Sequence, residues 1–555
     1  MDFKTLIAQQ LEKPAGIERT QLEDMLETPP EPGMGDYALP CFKLAKLLHK
    51  APAAIAAELA EAPMPDFVAR TEAAGGYLNL FIKPLSYAKA EGESYGGSNE
   101  GAGRHICIDY SSINIAKPFH IGHLSTTVIG NALYKIYEFM GYKCIGINHL
   151  GDWGTQFGKL ITAYKLWGVR AEIEKEGTAG LTKLYVRFHE EAEHDPELDE
   201  AARAWFKKIE DGDKEALELF EWFKSITLKD VARVYDILGI TFDSYAGESF
   251  YNDKMDRVVD ELKAKNLLEY NNGAYIVNLE SYNMPPCIIL KADGATLYAT
   301  RDIAAALYRK DTYDFYKALY VVAYQQNLHF KQVFKVIELM GYAWASQLEH
   351  VAFGMVSMED GTLSTRKGRV ILLEDVLNKS IEKTFEIIKE KSPELENKEE
   401  VARQVGVGAI VWNALYGGRI KDVVFSWDKA LNFDGETGPY AQYTHARCCS
   451  VLRKAAAPGD EIDYSKLCDP EALALLHTLA RFPEAVRSAC EKNEPYLVTR
   501  YVIALCQEFN KFYYEHRIID DDRATSSARL ALTEMVRARI AKGLALIGLS
   551  APERM

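Results

Sequence analysis

The chain has 555 residues, 48% of them apolar, and a formal net charge of -15 at pH 7; it is too long for one hydrophobic core and predicts three or four domains. The acidic balance excludes a surface coated in nucleic-acid-binding charge, so any RNA partner must be held by local basic patches and by shape. Nine scattered cysteines without a Cys-x-x-Cys pair give no sign of zinc, while the polar start Met1-Asp2-Phe3-Lys4-Thr5 and the lack of any run near about 18 apolar residues predict a cytoplasmic protein with no membrane partner.

Residues 1 to 95 mix short helices and strands. Ala53, Ile55, Ala56 and Leu59 share one helical face, and Tyr77-Leu78-Asn79-Leu80-Phe81-Ile82 reads as a strand. Gly92, Gly96, Gly97, Gly101 and Gly103 then read as a linker that closes an α+β domain. Beyond it, the apolar run Ile106-Cys107-Ile108 predicts a buried strand. It gives way to polar Asp109-Tyr110-Ser111-Ser112 and Asn114, then to Lys117-Pro118-Phe119-His120-Ile121-Gly122-His123. Leu124, Val128, Ala132, Leu133, Ile136 and Tyr137 follow at helical spacing, so both histidines and Gly122 fall where a strand ends and a helix begins. Open α/β sheets bind nucleotides at such junctions: helix amides and dipole attract phosphate, a glycine admits a flat base or ribose, and histidines donate to phosphate oxygens. Taken alone, His-x-Gly-His also suits a helix cap with two surface histidines. Lys117, Asn114 and Ser112 in the same turn are more polar chemistry than a cap requires.

This stretch resembles the His-Ile-Gly-His signature of class I aminoacyl-tRNA synthetases, and the run Ser111-Ser112-Ile113-Asn114-Ile115-Ala116-Lys117-Pro118-Phe119-His120 resembles arginyl-tRNA synthetases in particular. The resemblance implies a doubly wound parallel-sheet (Rossmann-type) α/β catalytic domain split by a helical insertion, an α+β N-terminal domain and an all-α C-terminal bundle. The corresponding boundaries are 1-95, 104-160 (first catalytic half), 161-245 (insertion), 246-400 (second catalytic half) and 401-555. Gly35-Asp36-Tyr37-Ala38 and Gly76-Tyr77-Leu78-Asn79 resemble that family's N-terminal appendage, which implies contact with the tRNA elbow; on residues alone, a small packing domain with turn glycines fits equally.

Along the chain, the strand Cys144-Ile145-Gly146-Ile147 ends in Asn148-His149-Leu150-Gly151-Asp152-Trp153-Gly154, completing a strand-helix-strand unit whose polar ends share one crevice. From 161 to 245 the pattern is helical. Trp205, Phe206 and Ile209, then Leu217, Phe220, Trp222, Phe223 and Ile226, read as core on either side of the turn Asp211-Gly212-Asp213. So helical a segment leaves no place for the β-rich editing domain of some class I relatives, and no hydrolytic proofreading is expected. The nucleotide-binding sheet is expected to resume with Ile288-Ile289-Leu290, followed by a turn at Asp293-Gly294 and Thr296-Leu297-Tyr298-Ala299-Thr300-Arg301-Asp302 leading into a helix with Ala305 and Leu307. A further strand, Leu319-Tyr320-Val321-Val322-Ala323, ends in Tyr324-Gln325-Gln326-Asn327-Leu328-His329-Phe330.

A guanidinium substrate has five donors and no acceptor, so its pocket needs carboxylates, amide oxygens and an aromatic face. Asp302, Gln326, Tyr298 and Glu248 supply those types. The likeness of Tyr-x-Thr-Arg-Asp and Gln-Gln-x-Leu-His to arginyl-tRNA synthetases implies that these positions hold arginine, with Asp109, Ser112, Asn114 and His123 toward its other end. Asp302 as a helix cap is the other reading. After the strand Val351-Ala352-Phe353-Gly354-Met355-Val356 and the turn Glu359-Asp360-Gly361 comes the basic loop Leu363-Ser364-Thr365-Arg366-Lys367-Gly368-Arg369, where class I enzymes carry Lys-Met-Ser-Lys-Ser. Thr362 and Thr365 stand where that motif has lysines. Arginyl enzymes with this loop form commonly have a lysine just before His-x-Gly-His, which implies that Lys117 supplies the missing charge. By the same resemblance Lys117, His120, Gly122, His123, Ser364, Thr365, Arg366 and Lys367 are the catalytic set, and His120, Gly122, His123, Leu363 and Ser364 the ATP set. Ile113, where the family usually has proline, should loosen the preceding turn.

Beyond 405 the pattern is almost wholly helical. Leu497, Tyr501, Leu505, Phe509 and Phe512 form one stripe, and Met535, Val536, Ile540, Leu544 and Ile547 another. Thr437 to Arg447 and the ending Leu549-Ser550-Ala551-Pro552-Glu553-Arg554-Met555 resemble the anticodon-binding bundle, with Tyr440, Tyr443 and Arg447 as candidate tRNA contacts; aromatic stripes also serve as plain core. The resemblance implies arginine-tRNA ligation through arginyl-adenylate, with ATP as substrate, magnesium on the pyrophosphate, transfer to the 2′-hydroxyl of the terminal ribose, activation dependent on tRNA(Arg), no protein-held metal and a monomer. Two rivals share parts of the pattern. A nucleotidylyltransferase has the His-x-Gly-His logic but no need of a long helical C-terminal region, and a non-catalytic tRNA-binding paralogue would explain the loop without its two lysines.

Overall fold

The structure is a computed structural model that describes residues 3–29, 34–83, 86–87, 97–291, 297–358, 371–455 and 462–555. In the N-terminal region β1 (Tyr37–Pro40), β2 (Val68–Ala74) and β3 (Tyr77–Ile82) form an antiparallel sheet in the order β1-β3-β2. Leu78, Leu80 and Ile82 alternate inward along β3, where they join Phe3, Ile7 and Leu11 of the helix Phe3–Ala15 and Ile55 and Leu59 of the helix Pro52–Ala60 in one core. The glycine-rich stretch is a linker only in part. Gly92 and Gly96 lie outside the described residues, but Gly101 donates its N–H to the Met140 carbonyl at 2.9 Å, and a Cβ there would fall 2.2 Å from the Tyr142 nitrogen. Its missing side chain is what lets the chain dock on the Gly141 turn.

Two strands buried at all but their first residues, β4 (His105–Asp109) and β5 (Lys143–Ile147), pair in parallel. The helix Leu124–Phe139 crosses between them and packs so closely on Tyr110 that a Cβ at Gly130 would meet its ring at 2.2 Å. The helices Gln156–Trp167, Arg170–Glu176, Thr178–Ala192, Glu197–Glu210 and Lys214–Leu238 follow without an intervening strand among them. Trp153 meets Phe206 at 5.3 Å, Phe157 meets Phe220 at 4.8 Å and Tyr164 meets Trp222 at 5.1 Å, so most of the aromatics are packing surface. Asp213 caps the long helix by accepting the Ala216 N–H at 3.0 Å.

One expected strand belongs elsewhere. Ile288 to Leu290 lie in β8 (Cys287–Lys291), which does not resume the parallel sheet; it pairs antiparallel with β7 (Ala274–Val277), itself in a hairpin with β6 (Glu269–Asn271). The hairpin turns at Asn272 (φ 47°) and Gly273 (φ 80°), the left-handed pair that matches strand twist. Ile288 of β8 is exposed whereas Cys287 and Ile289 are buried, the mark of a sheet covered on one face. The central sheet continues instead with β9 (Lys317–Tyr320) and β10 (Leu348–His350), giving the all-parallel order β10-β9-β4-β5.

The expected strand from Val351 to Val356 is likewise displaced. Gly354 donates to the Arg419 carbonyl at 2.8 Å, and its Cβ would lie 2.5 Å from the Lys421 carbonyl, so the chain swings toward 419–421 before β11 (Val356–Met358) pairs in parallel with β12 (Val423–Phe425). Past β12 the chain is helical, with Gly438–Lys454, Pro470–Ala480, Phe482–Lys492, Tyr496–Glu515 and Arg523–Leu546 as its main helices. Tyr501, Leu505, Phe509 and Phe512 are buried, as are Val536, Ile540, Leu544 and Ile547, so both stripes are core. A contact of His477 Nε2 with Asp36 Oδ1 at 3.1 Å and an ion pair of Arg487 with Glu100 at 2.9 Å tie this bundle to the N-terminal third. Among the described residues no helix is long and apolar enough to cross a membrane.

Candidate functional site

At the C-terminal edge of β4 the backbone enters the left-handed region at Ser111 (φ 69°) and Ser112 (φ 39°), and again at Ala116 (φ 59°). Such conformations cost a non-glycine residue roughly 1 kcal/mol or more, so the loop must be held by its surroundings. Part of the hold comes from the loop after β5. Gly151 donates to the Ile113 carbonyl at 2.8 Å and accepts the Ile115 N–H at 3.1 Å. A Cβ at Gly151 would sit 2.4 Å from Asn114 Oδ1, so this glycine makes room for the Asn114 side chain. The two polar strand ends therefore form one surface, as the strand-helix-strand reading expects.

Ile121–His123 form a 3-10 turn that runs into the helix Leu124–Phe139. Gly122 donates its N–H to His120 Nδ1 at 3.1 Å, which places the proton of a neutral His120 on Nε2. His120 donates its own N–H to His123 Nδ1 at 3.2 Å, and the two rings lie 4.1 Å apart. Burial lowers the pKa of His120 and pushes His123 down to about 3, the neighbouring His120 adding to the latter shift. Both are thus neutral at pH 7 and offer one ring N–H each rather than a cation. The cation of this turn is Lys117, whose side chain is exposed. A Cβ at Gly122 would lie 2.8 Å from the His120 ring, so this glycine makes room for the neighbouring imidazole.

The histidine turn also touches the far end of the basic loop. Ile121 donates to the Ile371 carbonyl at 3.1 Å and Leu373 donates to the Phe119 carbonyl at 3.0 Å, an antiparallel bridge centred on His120 and Leu372. Thr362, Leu363, Ser364, Thr365, Arg366, Lys367, Gly368 and Arg369 themselves lie outside the described residues.

The residues proposed for a guanidinium come from three elements. The helix Tyr298–Tyr313 carries Tyr298, Asp302 and Arg309 on one face. It begins at Tyr298, so Asp302 sits a full turn inside it and is not its cap. Asp302 Oδ2 is 2.5 Å from His329 Nε2, in the helix Asn327–Leu339. Asp109 is buried in an ion pair with Arg309, Oδ2 to Nη2 at 2.8 Å, and its other oxygen accepts from Ser112 Oγ at 2.8 Å. Arg309 also reaches His149 Nδ1 at 3.3 Å. Asp109 therefore already holds an internal cation.

Glu248 is placed by the buried Asp152, which accepts the Ser249 N–H and Oγ–H at 2.8 and 2.7 Å and pairs with Lys224 at 2.7 Å. Burial pushes the Glu248 carboxyl up to about 7; Arg301, 3.8 Å away, opposes this, and the charges of Asp302 and Asp152 add to it. Tyr298 is 65% exposed and Gln326, in the turn Tyr324–Gln326, is exposed as well, so both are open to a ligand. Arg301, Arg309 and His329 were missed as site residues. Arg301 and His329 lie within runs already singled out, and Arg309 is seven residues beyond Asp302, two turns along the same face.

Tyr440, Tyr443 and Arg447 share a face of the helix Gly438–Lys454, far along the chain. The hydroxyl of half-buried Tyr440 accepts from Asn510 Nδ2 at 2.9 Å. Tyr443 is exposed, and the Arg447 guanidinium lies 5.0 Å from its ring and 5.2 Å from that of Tyr513. A cavity of about 1050 Å³ opens here, lined by Tyr443, Arg447, Arg453, Tyr513 and Arg517 among others. Aromatic faces beside guanidinium groups suit unstacked bases and their phosphates.

Comparison with known proteins gives three family matches: residues 86–427 to the class I tRNA synthetase (R) catalytic domain, 441–555 to the DALR anticodon-binding domain and 1–82 to the arginyl-tRNA synthetase N-terminal domain. The chain is 54% identical to the arginine–tRNA ligase of Alkaliphilus metalliredigens and 54% identical to that of Clostridioides difficile, covering 100% of both sequences in each case. Among solved structures it is similar to the arginyl-tRNA synthetase of Thermus thermophilus, with a TM-score of 0.85 at 26% identity over 100% of this chain and 99% of that one. The fold also matches the Plasmodium falciparum arginyl-tRNA synthetase, with a TM-score of 0.82 at 22% identity over 100% and 98%.

Proposed function

The chain belongs to the class I arginyl-tRNA synthetases, and from that premise we propose how its residues carry the ligation of arginine to tRNA(Arg). Arginine, ATP and tRNA(Arg) are its substrates. In the first step the arginine carboxylate attacks the α-phosphorus of ATP, the bond to the β-phosphate breaks, and arginyl-adenylate and pyrophosphate result. In the second a terminal ribose hydroxyl of the tRNA, here assigned to the 2′ position, attacks the activated carbonyl and AMP leaves. Neither step needs an enzyme nucleophile, so the protein's task is positioning and charge.

His120 and His123 donate single N–H bonds to phosphate oxygens, and Lys117 supplies the cation beside them. Leu363, Ser364, Thr365, Arg366 and Lys367 are assigned to the same phosphates. Asp302 and Glu248 take the guanidinium between them, with Tyr298 as its aromatic face and Gln326 as an amide acceptor. Ser112 and Asn114 take the α-amino end, while Asp109, neutralised by Arg309, orients Ser112 more than it attracts substrate charge. Magnesium brought in with ATP would supply charge neutralisation on the pyrophosphate.

The single observation that carries this arrangement is the bridge joining Phe119 and Ile121 to Ile371 and Leu373, because it ties the exit of the basic loop to the histidine turn. Tyr440, Tyr443 and Arg447 are assigned to the anticodon end and residues 1-95 to the elbow. The catalytic halves span 104-160 and 246-400, around the insertion 161-245 and before the bundle 401-555. We assign the protein to the cytoplasm as a monomer that requires tRNA(Arg) to complete its activation site. Arginine-dependent exchange of pyrophosphate into ATP, with and without tRNA(Arg), tests the reading. Exchange only with tRNA supports it in full; exchange without tRNA removes the coupling; no exchange in folded protein that still binds tRNA points to the non-catalytic paralogue.

A further inference from the structure

The left-handed residues of the signature loop are held from a distance, and the holding groups come from the helical insertion. Lys224, Thr227 and Tyr235 share one face of the helix Lys214–Leu238. Tyr235 is buried, and its hydroxyl lies 2.7 Å from Ser111 Oγ and 2.8 Å from Asn148 Nδ2. Ser111 Oγ is in turn 2.8 Å from Thr127 Oγ1, and Thr127 Oγ1 is 2.7 Å from the His123 carbonyl. The carbonyl end fixes every proton in this chain, because a carbonyl only accepts and each hydroxyl has one hydrogen. Thr127 donates to His123, Ser111 to Thr127, Tyr235 to Ser111, and the Asn148 amide to Tyr235. The result is a directed chain from the end of β5, through one tyrosine of the insertion, to the second signature histidine.

A second pin is independent of the first. Ala116, left-handed and buried, donates its N–H to Thr227 Oγ1 at 3.0 Å, while Thr227 gives its own proton to the Phe223 carbonyl at 3.2 Å. Ala116 immediately precedes Lys117. The insertion thus grips the strained loop at both ends, one pin leading to His123 and the other standing next to Lys117.

We propose that Tyr235 and Thr227 are positioning residues for adenylate formation, through which the helical insertion holds the signature loop in its strained, reactive form. This rests on the reading of His120, His123 and Lys117 as the phosphate-binding set. The guanidinium end of the arginine site, Asp302 and Glu248, lies on other elements, whereas Ser112 and Asn114 at its α-amino end lie in the held loop, so the two pins act more on turnover than on arginine affinity. Two near-isosteric variants of the full chain test this, Tyr235→Phe and Thr227→Val, with Thr227→Ser as the conservative partner that keeps the accepting oxygen. In pyrophosphate exchange with tRNA(Arg) present, the first two should lower kcat about tenfold, the order expected when positioning hydrogen bonds are lost. Their arginine KM should rise by clearly less than kcat falls, because the guanidinium end is untouched, and Thr227→Ser should recover most of the rate. A wild-type kcat in either variant overturns the proposal. So does a Thr227→Ser protein as slow as Thr227→Val, or an arginine KM that rises in step with the loss of kcat. His123→Ala separates this from the reading beneath it. If His123→Ala keeps full exchange, the signature reading fails; if it loses exchange while the two pin variants do not, only the pins fail.

Discussion

Lys117 is exposed beside two histidines that burial keeps neutral, so among the described residues of the turn it is the cation available to a triphosphate. Lys117→Ala should therefore cut kcat for adenylate formation by about 100-fold, the scale of losing one charge contact to a transition state, with arginine KM nearly unchanged. Equal loss in both parameters would show that Lys117 serves binding instead. Glu248 gives a second test at this scale. Its carboxyl, ordinarily near 4.5, is pushed up to about 7 by burial, and a guanidinium binds the ionised form. As pH falls through 7 the carboxylate takes up a proton, so arginine KM should rise toward acid, by up to about tenfold per pH unit if only the carboxylate binds. Glu248→Gln should have a higher KM that is flat from about pH 6 to 8; a wild-type KM that is flat over that range would refute the shift. Folding responds in the opposite direction to binding: the native state keeps this proton more tightly than the unfolded chain between 4.5 and about 7, so Glu248 subtracts stability as pH rises through that window. The histidines, Lys117, Asn114 and Asp302 could be read from the sequence because they sit in short runs. Tyr235 and Thr227 could not. Their bonds to Ser111 and Ala116 join residues 124 and 111 positions apart, and a tyrosine on a helical stripe looks the same whether its hydroxyl is idle or the hub of a chain.

The helix Lys214–Leu238 shows what an element adds to its residues. Besides gripping the signature loop it holds the turn that bears Glu248, through Lys224 and the fully buried Asp152. Removing the lysine alone would strand that carboxylate, and breaking a buried pair from one side costs about 3 to 5 kcal/mol. Two Ser249 bonds to Asp152 survive, so Lys224→Met should cost near the lower figure, about 3 kcal/mol, read as a lower urea-unfolding midpoint at unchanged slope. Asp152→Asn combined with Lys224→Met should recover part of the loss; a double variant no better than the single would mean that the pair contributes by packing alone. Helices were the legible elements, since apolar spacing alone defines the long helix and both stripes of the bundle. Strands were legible as segments but not as partners. The run Ile288-Ile289-Leu290 reads correctly as a strand, yet its place in the small antiparallel sheet depends on the Asn272-Gly273 hairpin beside it. The short β12 carries too few residues to show a period and exists because β11 offers it a free edge.

At the scale of the whole molecule the protein carries 80 acidic against 65 basic side chains, so general attraction cannot hold an RNA and the local clusters must. The bundle cavity concentrates Arg447, Arg453, Lys454, Arg517 and Arg554 around the rings of Tyr443 and Tyr513. Guanidinium groups and rings leave different signatures. A cation that neutralises a phosphate releases counterions, so losing it lowers the slope of log affinity against log salt by about 0.7 for single-stranded nucleic acid. A ring that stacks on a base contributes about 1 to 3 kcal/mol, largely independent of salt. Titrating tRNA(Arg) at several salt concentrations should therefore separate Arg447→Ala, weaker and with a shallower slope, from Tyr443→Ala, weaker by about tenfold at every salt and parallel to the unmodified chain. Because Arg447 also packs over the Tyr443 ring and bonds Asn510, the double variant should lose less than the sum of the two. If both single variants bind tRNA(Arg) like the unmodified chain at every salt, this helix face is core facing an empty cleft, and the anticodon must be sought on another surface of the bundle.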